Sequence, residues 1–219
     1  MTRTASVVAL VVALAGIAGS VFVGASGLDT VMGCGPADHT YPDQTARDWV
    51  TQADHVVVAS PVAEEDTGRR DYKSGPVGYE TDRKVTFRTD RRLWSAARPR
   101  HALGGGFALV APGWRVLRAG GARIKRTTGD APRLETGHTY LLALRWSEGA
   151  WVVLGEGASV PFDGHTAGSG EWCGRVLDKD DVARGELFSR SDDHSLEKAL
   201  LGKDEQAVVR ALTRAARKK

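Results

Sequence analysis

Cysteine is nearly absent: the chain of 219 residues has two, at positions 34 and 173, and no Cys-x-x-Cys pair. A structural zinc site needs four ligands, and two distant thiols without a third Cys or a closely spaced His cannot complete that shell locally. No His-Glu-x-x-His helix and no Gly-x-Ser-x-Gly turn occurs, so the well-marked metalloprotease and hydrolase classes lack support. Asp178, Asp180 and Asp181 lack the Gly turn and distal Glu of a calcium loop. Gly104, Gly105 and Gly106 precede a β-like run rather than a helix, so they read as a loop and not as a phosphate cradle. Lysine is scarce too, 8 residues against 22 arginines, a bias that resembles coding by a high-GC actinobacterial genome. The net charge of only +3 traces to the tail residues Arg210, Arg214, Arg217, Lys218 and Lys219, which is not the signature of a nucleic-acid binder, expected to carry a basic stripe on the folded domain. These absences predict no cofactor, no bound metal, no nucleic-acid partner and no enzymatic activity.

What is present begins with an apolar run over residues 5–23 behind Arg3, followed by the small residues Gly24, Ala25 and Ser26. Residues 1–26 therefore read as a signal peptide, or as a membrane anchor, since about twenty apolar residues span a bilayer as one transmembrane helix. Either reading predicts a secreted or membrane-anchored protein facing the cell exterior. In that compartment Cys34 and Cys173 are expected to form one disulfide bond, and closing so long a loop contributes about 4 to 5 kcal/mol in the chain-entropy account. Val31-Met32-Gly33-Cys34 also approximates a lipobox, the alternative fate of Cys34, although charged Asp29 separates it from the apolar run.

The whole sequence is 42% hydrophobic and 26% charged, ordinary for a folded domain. Residues 54–63, with Val56, Val57 and Val58 in a row and Pro61 near the end, predict a first strand with an edge or bulge. Residues 65–78 are polar and predict an exposed loop. Residues 84–94 alternate, with Val85 and Phe87 inward, and predict a half-buried strand. Residues 107–111 predict a short strand closed by Pro112-Gly113, and residues 123–135 a polar excursion. The strongest hairpin joins residues 138–146 to 150–156 through Ser147-Glu148-Gly149. Residues 158–174 are irregular. Ser195 is expected to cap one short helix and Asp204 a second, with Val208, Ala211, Leu212 and Ala215 on one stripe.

Cys34-Gly35-Pro36, the segment Ala53-Asp54-His55-Val56-Val57-Val58-Ala59, the hairpin start Gly137-His138-Thr139-Tyr140-Leu141-Leu142, then Val160-Pro161-Phe162 and Cys173 resemble the netrin-like modules, which include tissue inhibitors of metalloproteinases. The likeness covers residues 34–173. It departs from the family in lacking the Cys-x-Cys start and the further cysteines. It implies an all-β, small closed or partly open barrel of OB-like type with about five strands, preceded by an N-terminal hydrophobic helix and followed by a C-terminal helical appendage. The expected domains are residues 1–26, 34–176 and 190–219. In the inhibitors the amine and carbonyl of the first cysteine chelate the protease zinc, so Cys34 would do this here only as an unblocked N-terminus.

The functional expectation is a non-catalytic exported domain that binds an extracellular or envelope protein, with metalloprotease inhibition as its most concrete form. A membrane-anchored accessory protein, held by the uncleaved N-terminal segment, is the alternative. Trp94, Trp146 and Trp151 are expected to fill the barrel or plug its mouth, and Trp172 to pack beside Cys173. Trp49 and Trp114 flank presumed loops and are the candidate binding-surface aromatics. The six histidines, His39, His55, His101, His138, His165 and His194, have no ligand spacing. Asp192-Asp193-His194 reads as a helix start, and only convergence of His138 or Asp193 with another ionisable group in a deep pocket would argue for catalysis.

Overall fold

Val56 through Ala59, and likewise Tyr140 through Leu144, are buried without the polar alternation of a one-sided strand, and the order of the sheet explains why. In the computed structural model, which describes residues 31–32, 41–127, 131–172, 175–177 and 196–217, these runs belong to β2 (His55–Asp71) and β6 (Tyr140–Ser147). The apolar leader, Cys34, Cys173, Asp192, Asp193, His194 and Ser195 lie outside the described residues, and so do the expectations of cleavage, lipidation and a disulfide.

The other strands are β1 (Val31–Met32), β3 (Val77–Ser95), β4 (Gly106–Leu117), β5 (Arg123–Arg126), β7 (Ala150–Val153), β8 (Ser159–Pro161), β9 (Gly170–Trp172) and β10 (Arg175–Leu177). The main sheet runs β1-β5-β4-β3-β2-β6-β7, with β8 also on β6, and β9 pairs with β10 separately. Apart from the parallel β1–β5 pair it is antiparallel, and it curls into a half-barrel. The expected mostly-β, OB-like architecture is present in this open form.

Side chains alternate across β2 and β6 because successive residues of a strand face opposite ways. Val57, Ala59, Tyr140, Leu142 and Leu144 join Val85, Phe87 and Leu109 inside the curl. Val56, Val58, Leu141 and Ala143 face the other way, against Trp49, Val208 and Leu212. Trp49 lies on α1 (Ala46–Gln52), and α2 (Leu196–Leu200) and α3 (Glu205–Arg217) complete the helical layer. Thr45 and Asp48 form a reciprocal capping box at the start of α1. Asp204 accepts the Ala207 N–H at 2.9 Å, capping α3 as the sequence predicts. Val208 and Leu212 are fully buried, each stabilising the fold by about 1.5–3 kcal/mol. The C-terminal helix therefore packs into one of the two cores through Val208 and Leu212. Among the described residues no helix is long and apolar enough to cross a membrane.

Three expectations are corrected. Residues 65–78 are not a loop: β2 and β3 run 17 and 19 residues, and their outer halves form a ribbon joined by charge. Glu80 accepts hydrogen bonds from Arg115 and Tyr72 and lies near Arg126. Burial pushes its carboxyl pKa up, but these partners outweigh burial and hold it below the ordinary value. Pro112-Gly113 does not end a strand either. β4 continues through it at a register shift opposite residues 80–82, and a Cβ on Gly113 would stand 2.6 Å from the Thr81 carbonyl oxygen. The polar excursion contains a strand, β5. Pro61 does mark a bulge, between its pairing and that of Ala63 and beyond the last β2–β6 pair at Ala59. The Glu148-Gly149 turn has φ of 52° and 83°, the left-handed pair that a two-residue hairpin requires.

Candidate functional site

The half-barrel leaves a seam. β5 pairs with β4 only from Trp114 to Val116, and β7 pairs only with β6. The Gly106–Ala111 side of β4 and the outer edge of β7 thus face one another, their Cα atoms within 8 Å in places, with no strand pairing between them. A groove of about 410 Å³ opens there, lined by Leu109, Val110, Ala111 and Pro112 from β4, Ala150 to Val153 from β7, Ala131, Pro132 and Leu134 from the connecting segment, and Gly155 and Ser159. Among the described residues no lining residue is ionisable. Val110 is 73% exposed, and the buried Ser159 hydroxyl has no hydrogen-bond partner among the described residues.

One wall of this groove is fastened by buried charge. Arg83 continues the inward phase of Val85 and Phe87 and is 1% exposed. Its guanidinium donates to the Pro112 carbonyl at 3.0 Å, to the Arg133 carbonyl and to Glu64. The Arg133 N–H donates to Glu171 at 2.7 Å, and the Tyr140 hydroxyl donates to the same oxygen at 3.2 Å while accepting the Glu135 N–H at 2.9 Å. Arg133 donates from Nη2 to the Gly113 carbonyl at 3.1 Å. Its Nε lies 3.3 Å from Glu135 without an aligned hydrogen bond, and Nη1 has no partner. Burial, reinforced by the neighbouring Arg83 charge, lowers the Arg133 pKa to about 10. Burial, then the Glu171 charge, raises the Tyr140 phenol well above its ordinary range. Ala131, Pro132 and Leu134 are therefore groove wall because the residue between them is anchored through both backbone and side chain.

The far lip is held by rings. Trp146 meets Trp151 edge-on at 5.1 Å, and His101 stacks on Trp146 at 3.9 Å. His55 is buried, with Nε2 3.0 Å from the His101 carbonyl and Nδ1 2.9 Å from the Ser95 hydroxyl. A carbonyl only accepts, so in the neutral ring Nε2 carries the proton and Nδ1 accepts from Ser95. Asp54 binds the Arg100 N–H at 2.8 Å and the Trp146 N–H at 2.8 Å, fixing the Gly104–Gly106 loop region to the hairpin.

The two aromatics singled out from sequence are not open platforms. Trp49 is 0% exposed and donates its indole N–H to the Asp43 carbonyl at 2.7 Å, because α1 turns it into the core. Trp114 is covered by the guanidiniums of Arg123 at 4.3 Å and Arg133 at 4.5 Å. Trp151 and Trp172 are buried, and Trp94 and Trp146 pack against the two cores. His138 does meet an ionisable partner, Asp163, at 2.6 Å, and this hydrogen bond raises the imidazole pKa. Asp163 also accepts the Thr139 N–H at 2.7 Å, and neither residue lines the seam groove. His165 is exposed beside Glu205, while His39, His194 and Cys34 lie outside the described residues. Among the described residues no three His, Cys, Asp or Glu side chains are grouped to hold a metal ion.

Sequence reasoning passed over Arg83, Arg133 and Glu171. The signal for Arg83 was its phase, two residues before Val85. Arg133 and Glu171 lie in polar and glycine-rich stretches with no periodicity to place them. Comparisons of the chain with protein-family models, with curated proteins and with solved structures found no match.

Proposed function

We propose that this is a non-catalytic binding domain, working outside the cytosol in secreted or membrane-anchored form, which takes apolar side chains of a protein partner into the seam groove. The observation that carries the reading is a groove at an unpaired strand seam whose described lining residues are all non-ionisable, with one wall fastened by buried hydrogen bonds. Its volume of about 410 Å³ falls in the range of small-ligand clefts and accommodates one or two large side chains. The apolar lip, with Val110 exposed and Val152 half-buried, offers contact area that water solvates poorly. Acid–base chemistry needs titratable groups at the reacting centre, and the described lining residues include none.

Titration with the neutral dye Nile red tests the reading. One saturable site is expected, competed by apolar peptides and weakened at least tenfold by the lip substitutions Val110→Lys and Val152→Lys. Absence of saturable binding, or unchanged binding in both variants, ends it. The more specific netrin-like form, inhibition of a metalloprotease through Cys34, rests on the resemblance alone. It requires an intact mass showing a mature chain that starts at unblocked Cys34.

A further inference from the structure

Arginines far apart in the sequence gather on one face. The solvent side of α3 presents Gln206, Val209, Arg210, Thr213, Arg214 and Arg217, all exposed and spaced three or four residues apart, so they form one stripe. On one flank Arg214 shares a shallow cleft with Arg47 of α1, and on the other Arg210 shares one with Arg91 and Arg92 of β3. Arg91 is already paired with Glu205 and Arg92 donates from Nη2 to the Leu103 carbonyl, so the positive charge of the face rests chiefly on Arg210, Arg214 and Arg217 of α3, in a chain whose net charge is +3. The carboxylates within these segments are already engaged. Glu205 pairs with Arg91 at 2.7 Å and with His165, Asp48 is held in the capping box, and Asp90 accepts from Arg88 at 2.6 Å.

We infer that this face docks onto an anionic phospholipid surface. Guanidinium forks match phosphate oxygens, and arginine is more weakly hydrated than lysine, which suits contact with headgroups. Val209, 37% exposed amid the charges, and the arginine stems supply apolar area at headgroup depth. The apolar run of residues 5–23 in the same chain provides a second membrane signal, and weak signals of this kind hold a protein at a bilayer only in combination. The face uses α1, α3 and β3 side chains that take no part in the groove, so the two readings stand or fall separately.

Flotation of the full chain with vesicles tests it, comparing phosphatidylcholine alone with phosphatidylcholine containing phosphatidylglycerol at physiological ionic strength. Any contribution of the apolar run appears with both lipids. The added binding to phosphatidylglycerol is expected to fall about fivefold per arginine removed, hence about a hundredfold in the variant carrying Arg210→Ser, Arg214→Ser and Arg217→Ser, and to vanish at high salt. A control with Arg69→Ser and Arg70→Ser, exposed arginines of the ribbon, should bind as the parent does. The inference is overturned if phosphatidylglycerol adds no binding, if the two variants lose it equally, or if soluble polyphosphate binds the face while vesicles do not. Matching thermal melts of the variants establish that they are folded.

Discussion

Arg83→Met should detach the groove wall. The methionine retains most of the buried volume but removes the donors to the Pro112 and Arg133 carbonyls and the partner of Glu64. The buried Arg133 carbonyl left without a donor costs about 1–3 kcal/mol, and the part-buried Pro112 carbonyl less. Glu64, with a side chain 38% exposed, regains water and adds little. Removal of the like charge beside Arg133 offsets part of the loss. The net expectation is about 2–4 kcal/mol, a fall in melting temperature of about 5–15 °C for a domain of this size. Urea unfolding measures the first quantity and calorimetry the second. Amide hydrogen exchange should then rise specifically across residues 131–135, with Nile red binding weakened in step. A loss below about 1 kcal/mol, within the range of ordinary substitutions, or unchanged exchange across that segment, would refute the claim that Arg83 fastens the wall.

Gly113→Ala should destabilise by about 1–3 kcal/mol or more, because its Cβ meets backbone atoms of Thr81 and Asp82 that cannot rotate away; Gly105→Ala, with nothing within 4 Å, serves as the neutral comparison in the same melts. The His138–Asp163 pair should be pH-dependent. The folded imidazole pKa is raised above its ordinary 6.5, so its stabilisation is fully present below about 6.5 and fades as pH rises through the folded value. Urea unfolding should show His138→Gln losing more stability at about pH 5.5 than at about pH 8.5, and an equal or reversed difference contradicts the pairing.

The parts of the fold that followed from sequence were those governed by short-range rules. The inward phase of Val85 and Phe87, the Glu148-Gly149 turn and the stripe of Val208 and Leu212 each need only a period or a turn conformation. The ribbon was not legible because its outer strands have no apolar face; cross-strand pairs such as Lys84 with Glu65 at 3.3 Å hold what hydrophobic patterning does not mark. α1 was passed over although Thr45-x-x-Asp48 signals a start, since only 7 residues follow. The groove could not be read at all. Its walls come from β4, β7 and residues 131–134, and only pairing order places them together. Trp49 and Trp114 were misplaced for a related reason: flanking a presumed loop says nothing about which way a ring points.

β2 and β6 act as a party wall between the interior of the curl and the helical layer, and this has a consequence for how the chain reaches its native state. Val57 pairs with Leu142, about 85 residues away, and neither hydrophobic compartment can close before that junction is made. Such remote pairing slows folding relative to helical bundles of equal size. Once made, the junction obliges both compartments to melt together, so loss of α3 should register inside the curl as well as at the helices.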